Sequence, residues 1–138
     1  MPAPEIKKPA PTPELPAMTE PDKIKVQHCL IGFEGSVRGK NITRTKEEAK
    51  KLAHEILESA RKGEDFDALV KKYTDDSHPG IYGMTNRGKP SASGYLPRDG
   101  MVRAFGDVGF PLKVGELGIA DFEPARSPYG WHVIKRIE

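Results

Sequence analysis

Between Thr43 and Gly63 the chain reads "TRTKEEAKKLAHEILESARKG", and no other stretch restricts the fold as strongly. Thr45 and Glu48 stand three positions apart, so each side chain can accept the other's backbone N–H, a capping box that opens a helix. Ala49, Leu52, Ala53, Ile56, Leu57 and Ala60 fall at i, i+3, i+4, i+7, i+8 and i+11, one continuous apolar stripe. Gly63 supplies the stop. Lysines and glutamates fill the other faces, and His54 lies among them as a surface residue. A stripe this wide must be covered, and 138 residues suffice for one domain with one core.

The cover comes from strands. In "IKVQHCLIG", Ile24, Val26, His28 and Leu30 alternate with Lys25, Gln27, Cys29 and Ile31, the period of a strand, with His28 on the apolar side. "KVGELGIADF" and the closing "YGWHVIKRI" read as two more strands, the last carrying His132. A second, shorter helix is expected in "EDFDALVKKY", burying Phe66, Leu69, Val70 and Tyr73. A third lies in "RDGMVRAFGDVGF", where Met101, Phe105 and Val108 recur at helical spacing. The segment from Thr74 to Pro97 is crowded with Gly, Pro, Ser and Asn, so a long loop with at most short strand pieces is expected. A loop that long in a small domain is usually functional or disordered. Strand, helices, loop, short helix, then strands describes an α+β domain with a mostly antiparallel sheet.

The first 22 residues hold seven of the thirteen prolines. Such density forbids helices and ladders, so residues 1–22 read as a Pro-rich flexible tail or linker and 23–138 as the folded domain. No run approaches the ~20 apolar residues that span a bilayer. The reading is a soluble monomer, cytoplasmic or else exported and tethered after loss of a targeting segment. Ten bases against five acids make residues 23–62 basic, yet no pattern of alternating basic and aromatic residues accompanies them, so a solvated helix face fits better than a nucleic-acid surface. Cys29 is the only cysteine, which excludes an internal disulfide and a thiolate metal cluster. In an apolar strand it reads as a small core residue.

Chemistry must then come from the histidines. His28 and His132 lie in strands at opposite ends of the domain, and they can meet only if those strands are neighbours. A metal would need Asp75 or Asp76 as third ligand, a scattered set without the close pair spacing of zinc motifs. A serine hydrolase fits less well, because no serine sits on a nucleophile elbow. No metal and no cofactor are expected.

Five blocks, "VQHCLI", "ITRTKEEA", "GEDFDALVKKYTDD", "RDGMVRAFGDVGFPLKVGEL" and "SPYGWHVIK", occur in the order found in parvulin-type peptidyl-prolyl cis/trans isomerases, and from Lys23 to Glu138 the chain resembles that family. The resemblance implies a four-stranded, mostly antiparallel sheet surrounded by about four helices, with the terminal strands central and adjacent. It implies rotation about X-Pro bonds of protein substrates, with His28, Asp76, Ser127 and His132 as the polar site. Met101 and Phe105 match the apolar pocket for the proline ring, and Phe110 borders it. Simple core packing is the plainer reading of these apolar residues. Among the departures, Gly32 falls where the phosphate-reading members place a lysine. Ser93 falls where a leucine completes the pocket, and Tyr95 or Leu96 could substitute. Tyr129 falls where a serine is common. Arg38 and Lys40, with Arg44 beside them, could meet an acidic or phosphorylated residue before proline, or simply keep the surface soluble. The alternative function is a non-catalytic parvulin-like module that binds Pro-containing chains as a chaperone.

Overall fold

The computed structural model describes residues 20–138, so most of the Pro-rich segment assigned to residues 1–22 lies outside the described residues. Strand β1 (Lys23–Ile31) is followed by helices α1 (Lys46–Arg61) and α2 (Phe66–Tyr73). Then come β2 (Ile81–Thr85), β3 (Tyr95–Pro97), a 3-10 turn (Arg98–Gly100), α3 (Arg103–Gly109), β4 (Leu117–Ala120) and β5 (Trp131–Arg136). The expected α+β architecture is present. Among the described residues its sheet has five strands instead of four, and three α-helices with one 3-10 turn stand where about four helices were expected.

The sheet order is β3-β2-β1-β5-β4, which places β1 at the centre and the two terminal strands side by side. Every pair is antiparallel except β2 with β3. The fifth strand arises in the segment expected to be mostly loop. β2 pairs along its whole length with Lys23–Gln27 of β1. Its sequence "IYGMT" hides a strand because Gly83 breaks the alternation. Glycine is needed there, since a Cβ would come within 2.7 Å of the Tyr95 ring on the next strand.

Two apolar layers flank the sheet. Cys29, Ile31, Trp131 and Val133 face α1 and α2, where Ala49, Ala53, Ile56, Leu57, Phe66 and Val70 cover them. Burying a side chain such as Ile56 or Leu57 contributes about 1.5–3 kcal/mol. The capping box at Thr45 forms as expected: the hydroxyl accepts from Glu48 N–H, and the Glu48 carboxylate accepts from Thr45 N–H. Ile24, Val26, Met84, Ala120 and Ile134 point the other way, beneath Ala104, Phe105 and Phe110.

Arg98 fixes how the second layer closes. It is 5% exposed, and its Nη1 donates to Glu20 Oε1 and Asn86 Oδ1, both at 2.9 Å. Its Nη2 lies 3.5 Å from Asp107 Oδ1, and the guanidinium sits 4.4 Å over the Phe110 ring. A Cβ at position 106 would meet Arg98 Nε at 2.6 Å, so glycine lets α3 approach the guanidinium. The turn preceding Met101 and the helix carrying Phe105 are thereby tied to one buried charge.

Candidate active site

The register of β1 against β5 sets Leu30 opposite His132 and His28 opposite Ile134. Alternation then puts His28 and His132 diagonally on one face, toward α3. Their Nδ1 atoms are 3.3 Å apart, and the rings are 1% and 2% exposed. One Nδ1 must donate and the other accept. His28 Nε2 lies 3.3 Å from the Asp76 carboxylate. If His28 donated through Nδ1, a bare Nε2 lone pair would face that anion. His28 therefore carries its proton on Nε2, and His132 donates from Nδ1 to His28.

This leaves the site short of hydrogen bonds. Asp76 is near enough to attract His28 Nε2–H but is not aligned to accept it, and Nε2 has no hydrogen-bond partner. His132 Nε2 has none either. Burial holds the His28 pKa below its usual value, against the opposing pull of Asp76. Burial, with His28 beside it, lowers His132 to about 3. Both rings are neutral near pH 7.

Phe105 closes the site from α3. Its ring meets both imidazoles edge-on, with centroids 4.7 Å from His28 and 4.8 Å from His132. Met101 stands half-buried at the start of that helix and packs on the same apolar layer. The Asp76 side chain is 40% exposed, so it forms the wet edge of an otherwise apolar site. Among the described residues no group of three His, Cys, Asp or Glu is arranged to hold a metal ion.

The remaining candidates lie elsewhere. Ser127 is fully buried, but its hydroxyl is within 2.7 Å of the Asp121 carbonyl and 2.9 Å of the Gly130 carbonyl, so it clamps the turn before β5. Phe110 is buried beneath the Arg98 guanidinium, in the core. Leu96 is 52% exposed on the edge strand. Arg38 and Lys40 are exposed on the loop between β1 and α1.

The description "PPIC-type PPIASE domain" matches residues 15–138. The chain belongs to this isomerase family. Foldase protein PrsA of Bacillus subtilis is 32% identical over 123 residues, which cover 85% of this chain and 37% of that protein. Foldase protein PrsA 4 of Bacillus cereus is 37% identical over 82% of this chain and 31% of its own length. Chaperone SurA of Chromohalobacter salexigens is 34% identical over 80% of this chain and 21% of that protein. The chain thus spans little more than a third, or less, of the curated relatives it matches. The peptidyl-prolyl isomerase ESS1 from Candida albicans shares the fold, with a TM-score of 0.62 at 22% identity over 85% of this chain and 63% of that one.

One neighbour of the histidine pair was not expected from the sequence. Tyr82, on β2, has its ring centroid 5.4 Å from His28 and 5.9 Å from Phe105. Its ring thus stands beside both the histidine pair and Phe105. The signal was the alternation of Tyr82 with Met84, masked by Gly83. Asp75 accepts from Gly32 N–H at 2.8 Å and pairs with the Arg44 guanidinium at 2.5 Å. Arg44 also donates to the Gly32 carbonyl, so this cation serves the loop.

Proposed function

We propose that this domain speeds cis/trans rotation about X-Pro bonds in polypeptides, gripping the proline ring between Phe105, Met101 and Tyr82. The observation that carries this reading is Phe105 set edge-on against two neutral histidines. Phe105 and the buried imidazoles form an apolar surface with the Asp76 carboxylate at its exposed edge, which suits a proline ring. Rotation about a peptide bond faces a barrier of ~18–20 kcal/mol because resonance is lost on twisting. Unassisted X-Pro exchange takes roughly tens to hundreds of seconds. No covalent bond breaks, so neither a nucleophile nor a metal is needed. The enzyme need only bind the twisted amide better than either planar form. A slot that excludes water favours the twisted amide, which is less charge-separated. The histidine pair fixes the tautomers and the floor of the slot, and Asp76 shapes the field at the carbonyl.

We further propose that phosphate before proline is not preferred. Arg44 is engaged by Asp75 and Gly32, and the charge nearest the slot is the Asp76 carboxylate. The foldase and chaperone names of the longer relatives favour a second reading, in which the domain holds Pro-containing chains without useful turnover. Exchange NMR on peptides with Ala, Glu or phosphoserine before proline separates the two. Acceleration of Ala-Pro exchange supports the enzyme, and binding without acceleration on any peptide supports the holdase. A clear gain for phosphoserine-Pro over Ala-Pro would overturn the proposed lack of phosphate preference.

A further inference from the structure

We infer that Tyr82 is a catalytic residue of this site, its phenol donating a hydrogen bond to the proline nitrogen as the X-Pro amide twists. The inference rests on the isomerase reading above. Tyr82 pairs with Val26 in the register of β2 on β1, and it shares with Met84 the face turned toward α3. Its ring stands beside both His28 and Phe105, so a proline held against Phe105 lies beside the phenol as well.

The state of the hydroxyl makes it available. Its partner is Asp76 Oδ2 at 3.5 Å, and His28 Nε2 lies 3.3 Å from the same oxygen. A hydroxyl bound firmly to a carboxylate sits at roughly 2.5–2.7 Å. At 3.5 Å the bond is largely unmade, so little is lost when the phenol turns to another acceptor. Burial first, and Asp76 second, raise the phenol's pKa, so it stays a protonated donor around neutrality.

Of the other donors at the site, His132 Nδ1–H is given to His28, while His28 Nε2–H faces the Asp76 carboxylate without a hydrogen bond and is 1% exposed beneath the neighbouring rings. The Ser127 hydroxyl lies against two backbone carbonyls. Tyr82 is the partly exposed donor among them, and its partner is weak.

The chemistry of the substrate supplies what it lacks. In a planar amide the nitrogen lone pair is delocalised into the carbonyl and accepts no hydrogen bond. As the bond twists, that lone pair localises on nitrogen and becomes an acceptor. A donor placed there gains a partner only near the transition state, so it raises the rate without tightening ground-state binding. No proton is transferred and no bond is made or broken. The phenol exchanges a long contact with Asp76 for a short one with nitrogen, then returns.

The test compares wild type, Tyr82→Phe and a chain carrying 3-fluorotyrosine at position 82, using exchange NMR on an Ala-Pro peptide with thermal melting alongside. Tyr82→Phe keeps the ring, so the melt and KM should hold while kcat falls about tenfold, the scale of losing one neutral hydrogen bond. The fluorinated phenol is a stronger donor of nearly the same shape, and kcat should rise. This arm decides the matter if Tyr82→Phe does not fold. Full activity in Tyr82→Phe, or a loss confined to KM, would overturn the inference while leaving the isomerase reading intact. Absence of acceleration by wild type would overturn both.

Discussion

Arg98 and the His28–His132 pair are ionisable groups buried against the same helix, and the fold treats them in opposite ways. Around Arg98 the polar atoms are supplied: Glu20, Asn86 and Asp107 face the guanidinium and Phe110 lies beneath it. Around the histidines they are withheld, and two buried ring nitrogens have no hydrogen-bond partner. Arginine cannot shed its charge, so the fold neutralises it in place. Imidazole can, and burial here strips the charge away. The satisfied group binds the frame together. The unsatisfied pair lies under the proposed proline slot, where low polarity would favour a twisting amide.

The largest expected difference between the two regions is their response to acid. Above the unfolded value of about 6.5, neither folded nor unfolded chain binds a proton at these histidines. Below it the unfolded chain takes up protons that the buried rings refuse, so stability falls with pH, and for His132 it continues to fall until about 3. Each ring contributes up to about 1.4 kcal/mol per pH unit over its window. Urea unfolding at pH 7, 6 and 5 measures the slope. A flat profile over that range would remove the distinction.

Next in size is Arg98→Met, which leaves Asp107 and Glu20 without their shared cation. It should cost about 3 kcal/mol in urea unfolding at pH 7. Gly106→Ala crowds the same guanidinium and should lose about 1–2 kcal/mol. An unchanged midpoint for Arg98→Met would mean that the cluster is ornamental.

His132→Phe sharpens the comparison from the other side. It removes the donor that fixes the His28 tautomer, so stability at pH 7 should drop about 1–2 kcal/mol. It should also remove about half of the acid slope. Turnover should fall by no more than about tenfold, because the ring supports the slot and moves no proton. A far larger loss of turnover in a fully stable variant would show that the histidine does more than position. The smallest effect belongs to Arg38→Ala combined with Lys40→Ala. Both residues are exposed, and rates on Glu-Pro and phosphoserine-Pro peptides should change less than about twofold.

Local physics was legible before the structure was. The capping box of Thr45 and Glu48, the stripe of α1 and the alternation of β1 need only neighbouring residues to be recognised, and they form as read. Long-range pairing is another matter. Nothing in the spacing of His28 and His132 shows that they touch, since the register of β5 on β1 decides it, and only the likeness to parvulins brought them together. Arg98 could not be found in advance, because a buried arginine reads like a surface one until its partners are placed. Tyr82 was hidden by Gly83, which the packing of Tyr95 requires and which breaks the strand pattern. Ser127 lay beside the right strand in sequence, yet its hydroxyl was drawn to the carbonyls of its own turn.

The central claim is that the histidine pair stays neutral and tautomer-locked while the slot holds proline. Long-range proton–nitrogen NMR of the histidine side chains at pH 7, with and without saturating Ala-Pro peptide, tests it most directly. The account predicts two neutral rings throughout, His28 protonated on Nε2 and His132 on Nδ1. An imidazolium signature at either residue, or the opposite pair of tautomers, would contradict it.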